Sequence, residues 1–99
     1  MTLSVRFHPA ARADLEAAVA WYDEQERGLG GALVEDVERA IAKIVARPDA
    51  WPLSEWDSRA RKVVLSRFPY RVIYTISAAV IVIVAVAHQR RRPGYWRTR

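Results

Sequence analysis

The sequence has no cysteine. That excludes disulfides, thiolate metal sites and a cysteine nucleophile. Histidine is scarce too: His8 and His88 are the only two. They lie at opposite ends of the chain and form no HExxH-type metal-binding pair. No metal and no small-molecule cofactor is therefore expected. Glycine occurs four times, three of them within Gly28-Leu29-Gly30-Gly31. That run follows a helical pattern rather than a strand and lacks the GK[ST] ending of a phosphate-binding loop, so it reads as a turn. Arg6 and His8 interrupt the start, so no signal peptide is expected and the cytoplasm is the expected location. The apolar run 72–87 is shorter than the ~20 residues of a spanning helix. Thr75 and Ser77 interrupt it, and its β-branched residues favour strands, so no membrane is expected as a partner.

The most informative absence is of acid. All eleven acidic residues fall within 1–57, against six basic ones, whereas 58–99 hold ten basic residues and no acid. The overall charge of +5 hides this division. A stretch of one sign without counter-charge suits nucleic acid, an anionic membrane or an acidic protein partner.

The 99 residues are enough for one domain with a real core, and residues 1–99 are read as a single domain. Leu3, Val5 and Phe7 alternate with polar residues, predicting a half-buried strand over Thr2–Phe7. Pro9 opens a helix to about Gln25, with Ala11, Leu15, Ala18, Val19 and Tyr22 on one face. Asp14 and Glu16 suit the positive end of its dipole. A second helix is predicted from about Gly31 to Ala46, burying Leu33, Val37, Ile41 and Ile44. Glu35, Asp36, Glu38, Arg39 and Lys43 take its other face. The short connection implies an antiparallel helix hairpin.

Residues 48–60 form a loop in which Trp51 and Trp56 lie over the core edge. Three strands follow, over Lys62–Arg67, Arg71–Ile76 and Val80–Ala87, joined as an antiparallel meander. The expected class is α+β, β-α-α-β-β-β, in two layers. Val80 to Ala87 shows no polar alternation, so both of its faces should be buried. The hairpin covers one face; the tail or a partner must cover the other.

The tail, 88–99, interleaves arginines with Tyr95 and Trp96, residue types that grip phosphate or carboxylate and stack on bases. If Ala78-Ala79 is a two-residue hairpin loop, Arg71 lies opposite Val86 and shares a face with His88. Beside Arg71 and Tyr95, His88 becomes a candidate proton-transfer group.

Together these phrases resemble the RelE/ParE superfamily of type II toxin–antitoxin toxins. They are Phe7-His8-Pro9-Ala10-Ala11, Trp21-Tyr22, Gly28-Leu29-Gly30, Pro48 with Trp51-Pro52, Arg67-Phe68-Pro69-Tyr70-Arg71-Val72-Ile73-Tyr74, and His88 with Arg91, Pro93, Tyr95 and Trp96. The resemblance implies the two-layer fold derived above, a cognate antitoxin as partner, and growth inhibition by one of two routes. RelE-like members cleave mRNA on the ribosome without metal; ParE-like members poison DNA gyrase and are not nucleases. If the chain is an enzyme, the resemblance implies an endoribonuclease with Arg71, His88, Arg91 and Tyr95 as catalytic residues. Lys62, Arg67, Arg90, Arg92, Trp96 and Arg97 would then bind nucleic acid. Arg71 matches an arginine of RelE-like enzymes, Tyr95 their C-terminal tyrosine and Lys62 one lysine. Val64 and Gln89 stand where those enzymes carry lysine and arginine. A non-toxic RNA-binding or other nucleic-acid-binding module, or a degenerate toxin homologue, are the alternatives.

Overall fold

The computed structural model describes residues 3–99. Its elements are β1 (Ser4–Phe7), α1 (Pro9–Gln25), α2 (Leu29–Ala46), β2 (Ala60–Val64), β3 (Tyr70–Ser77) and β4 (Val80–His88). The order is the predicted β-α-α-β-β-β. Thr2, placed in the first strand from the sequence, lies outside the described residues. The four strands form one sheet in the order β1-β4-β3-β2, with β1 parallel to β4 and the other pairs antiparallel. The parallel pairing follows from the connection: the helix hairpin carries the chain across before it returns to the sheet.

Local chemistry sets the helix boundaries. His8 caps α1, its Nδ1 accepting the Ala10 N–H at 3.0 Å, with Pro9 in the first turn. α2 begins at Leu29, two residues before the predicted start. There the Asp23 carboxylate of α1 accepts the Gly30 N–H at 2.8 Å, satisfying a donor at the helix start. Gly30 also lets the helices approach closely: a Cβ there would stand 2.7 Å from Val19 O and Val19 Cγ1.

The core lies between the hairpin and one sheet face. Leu33, Val37 and Ile44 of α2 and Ala11 and Ala18 of α1 pack with Val63, Val72, Tyr74, Ile81, Ile83 and Val86. Asp36, expected on the solvent face of α2, is instead 1% exposed. Its Oδ2 accepts the N–H groups of Arg67 (2.9 Å) and Phe68 (3.1 Å), and Arg39 bonds Oδ1 at 3.2 Å. Burial raises its pKa, but the two backbone N–H bonds and Arg39 outweigh that and hold the carboxyl below its ordinary value. This acid ties the β2–β3 turn to α2.

β2 spans Ala60–Val64, earlier and shorter than the predicted Lys62–Arg67. Leu65 still bonds Tyr70, and Phe68 turns back into the core. The hairpin loop is Ala78-Ala79 as predicted, with Ser77 opposite Val80. Both alanines carry positive φ, 47° and 63°, as a two-residue hairpin loop matched to strand twist requires.

Candidate functional site: a basic cleft under the C-terminal tail

One irregularity decides where Arg71 points. A register shift between Ile73 and Tyr74 places Arg71 opposite Ala87 and Tyr70 opposite His88. The sequence expectation of Arg71 opposite Val86, sharing a face with His88, is therefore corrected. The loop length was right, but the shift in mid-strand moves the far end by one residue, and a one-residue slip exchanges faces. Arg71 lies on the face away from the helices. His88 lies on the helix side, its ring edge-on to Tyr70 with centroids 4.9 Å apart, and Tyr70 in turn meets Tyr22.

The tail covers the Ala85 end of the open face of β4, while Val80, Val82 and Val84 stay part-exposed, so the expectation of a strand buried on both faces holds only there. Trp96, 5% exposed, packs on Ala60, Ile73 and Ala85, with Val84 and Tyr95 at the margin. Gly94 lets the tail pass close over the 48–60 loop: its φ is +71°, and a Cβ would lie 3.3 Å from Trp56 Cβ.

The tail is fastened at its far end by Asp14 of α1. Its carboxylate accepts the Tyr95 hydroxyl at 3.0 Å and the Val86 N–H at 3.2 Å. Arg99 donates to both of its oxygens, at 2.7 and 3.0 Å, and to Val84 O at 3.0 Å. Side-chain exposure is 8% for Asp14 and 15% for Arg99, so this pair is largely shielded from water. Burial, then the neighbouring Asp14 charge and hydrogen bond, push the Tyr95 hydroxyl up to about 12. The Arg91 and Arg99 guanidiniums lie 4.0 and 4.9 Å from the centre of its ring.

Between tail and sheet end lies a cleft of about 110 Å³. Its lining includes Lys62, Arg71, His88, Arg91, Arg92, Tyr95 and Trp96, together with Ser54, Trp56 and Gln89, and contains no acid. Seven of the ten residues singled out from the sequence thus meet around one space. His88 reaches it from the end of its strand, despite facing the other side of the sheet from Arg71. Its Nδ1 accepts the Arg90 N–H at 3.0 Å. Lys62 is 3.6 Å from the exposed Glu55 carboxylate. The Nε of Arg71 is buried with no hydrogen-bond partner among the described residues.

The remaining three stand apart from the lining. Arg67 lies 5.6 Å from the Phe68 ring centre, Arg90 continues the turn after β4, and Arg97 donates to Trp56 O at 3.5 Å. Sequence reasoning missed Asp14 and Arg99. Nothing in an acid of the second turn of α1 and an arginine 85 residues later signals that they meet. Among the described residues, no helix is long and apolar enough to cross a membrane.

No curated protein matches the sequence. Among solved structures, a chain of the chromosomal ParDE toxin–antitoxin system from P. aeruginosa is 22% identical. The match covers 88% of this chain and 96% of that one, with a TM-score of 0.77. A mutant of E. coli toxin RelE in the free state is 18% identical, over 91% of this chain and 86% of that one, with a TM-score of 0.65. Likeness at this identity establishes the shared fold. The family model described as ParE toxin of type II toxin–antitoxin system, parDE, matches residues 5–93. The chain thus belongs to the ParE toxin family of type II toxin–antitoxin systems.

Proposed function

We propose that this chain is the growth-inhibiting toxin of a type II module, acting in the cytoplasm as a single domain and neutralised by a cognate antitoxin. In this reading it stops growth by binding and poisoning DNA gyrase rather than by chemistry on RNA. The observation that carries the choice is the state of Tyr95. Its hydroxyl already donates to Asp14 and is held up at about 12. A proton-transfer group works best with a pKa near the operating pH and a free path to its substrate. Tyr95 has neither, and its contacts support a structural role. The match to the ParE family supports the same reading.

A second reading, metal-independent cleavage of mRNA on the ribosome, is supported by Arg71, His88 and Arg91 lining one cleft. There the arginines would stabilise charge on the phosphorane formed by 2′-hydroxyl attack, and His88 would move protons. Brief induction of the lone chain in growing bacteria separates the two. Growth arrest with intact messages and gyrase-dependent chromosome breaks is expected. New in-frame cuts on translated messages would replace the gyrase reading with the nuclease one. Unaffected growth would leave a non-toxic binding module or degenerate homologue.

A further inference from the structure

Arg71 lines a cleft bordered by Lys62, Arg91 and Arg92 with no carboxylate in its lining, and its Nε–H is buried without an acceptor among the described residues. Buried guanidinium donors are ordinarily satisfied, so Arg71 is a cation whose hydrogen bonding is incomplete in the chain alone. The space, about 110 Å³, admits a single oxyanion group rather than a run of nucleotides. A guanidinium matches the two oxygens of a carboxylate with two parallel N–H bonds.

The surroundings favour a protein acid over nucleic acid. Single-stranded nucleic acid is held by phosphate contacts together with stacking of bases on free aromatic faces. Trp96 is spent on the sheet at 5% exposure, and the Tyr95 ring is occupied by Arg91 and Arg99. Only Trp56, 48% exposed, remains open at the rim, enough for the apolar neighbour of an acidic residue. The protein itself supplies a precedent, since the Glu55 carboxylate already leans on Lys62 from outside.

We propose that the cleft receives the carboxylate of a glutamate or aspartate from an acidic protein segment, held by Arg71 and flanked by Lys62 and Arg91. The segment is assigned to the antitoxin, and that assignment rests on the toxin reading above.

The test uses the intact chain with its arginines labelled with nitrogen-15. Loss of one signal in Arg71→Lys identifies the Arg71 Nε–H resonance. Two probes of equal charge are titrated: a capped peptide carrying four glutamates and an oligouridylate carrying four phosphodiesters. The peptide is expected to shift the Arg71 resonance and to bind about tenfold more tightly than the oligonucleotide. Arg71→Lys is expected to weaken the peptide about tenfold, the loss of one charge-assisted bond. Should Arg71→Lys disturb the circular dichroism, the resonance shift in the unmodified chain decides alone. Tighter binding of the oligonucleotide at that resonance, or peptide binding that leaves it unmoved, overturns the proposal. If the lone chain arrests growth while the peptide leaves Arg71 unmoved, the cleft proposal fails and the toxin reading stands. If the peptide binds at Arg71 and growth is unaffected, the cleft stands and the toxin reading fails.

Discussion

At one end of the C-terminal tail Arg99 is locked to a shielded aspartate, while at the other Arg71, Arg91 and Arg92 surround a cleft without any acid in its lining. The two ends use the same residue type for opposite purposes. An arginine that gives three of its donors to Asp14 and Val84 O holds the tail across the sheet. Arg71, by contrast, lines the acid-free cleft and leaves its buried Nε without a partner among the described residues. Counting basic residues cannot make this distinction. It depends on the one acid that α1 delivers to the edge of β4 just beyond the end of β1.

Disrupting the fastened end should have the largest effect. Asp14→Ala removes an acceptor shared by Tyr95, Arg99 and the Val86 N–H, and leaves Arg99 without its counter-charge. Loss of about 3 kcal/mol is expected, the low end for a broken buried pair because Arg99 can swing toward water. Urea unfolding monitored by Trp fluorescence measures it.

Asp36 is a second acid that is fully satisfied, and it predicts a loss next in size. Asp36→Asn should cost about 2 kcal/mol, the scale of charge-assisted bonds to Arg67 and Phe68. Because the folded pKa is depressed, its contribution is present above the unfolded value of about 3.9 and is lost as pH falls through the folded one. Denaturant midpoints of the parent should fall below about pH 4, and those of Asp36→Asn should fall less.

Much of this was legible beforehand, for identifiable reasons. Strand and helix periodicities gave the element order, and the unbroken apolar run in β4 called for a cover on its second face, which Trp96 supplies over Ala85 but not over Val80 and Val82. The register shift was hidden by the same feature. Where Val72-Ile73-Tyr74 meets Ile83-Val84-Ala85, apolar residues occupy both faces, so no polar position marks the slip. That concealed slip moved Arg71 away from the face of His88. Asp36 read as a solvated helix acid because its partners are backbone N–H groups of a turn 31 and 32 residues on, which side-chain patterns do not reveal. Asp14 read as a dipole partner for α1 for a similar reason.

At the open end, Arg71→Met should change stability by no more than about 1 kcal/mol, and in the stabilising direction, since it removes a buried unsatisfied donor. The same urea titration checks this, and a large loss would mean that Arg71 is fastened after all. An effect of similar size concerns neither end. Replacing Ala78-Ala79 with Asn-Gly relieves two positive-φ alanines and should add about 1 kcal/mol. Both the Asp14→Ala and Arg71→Met differences should persist unchanged in that background, because the sites are far apart.

The central claim is that Tyr95 fastens the tail and performs no chemistry. Growth after induction of Tyr95→Phe, compared with the parent at matched soluble protein levels, tests it most directly. The account predicts arrest as strong as the parent's, alongside a stability loss of about 1 kcal/mol for the missing bond to Asp14. Normal growth with the variant folded and abundant would contradict it.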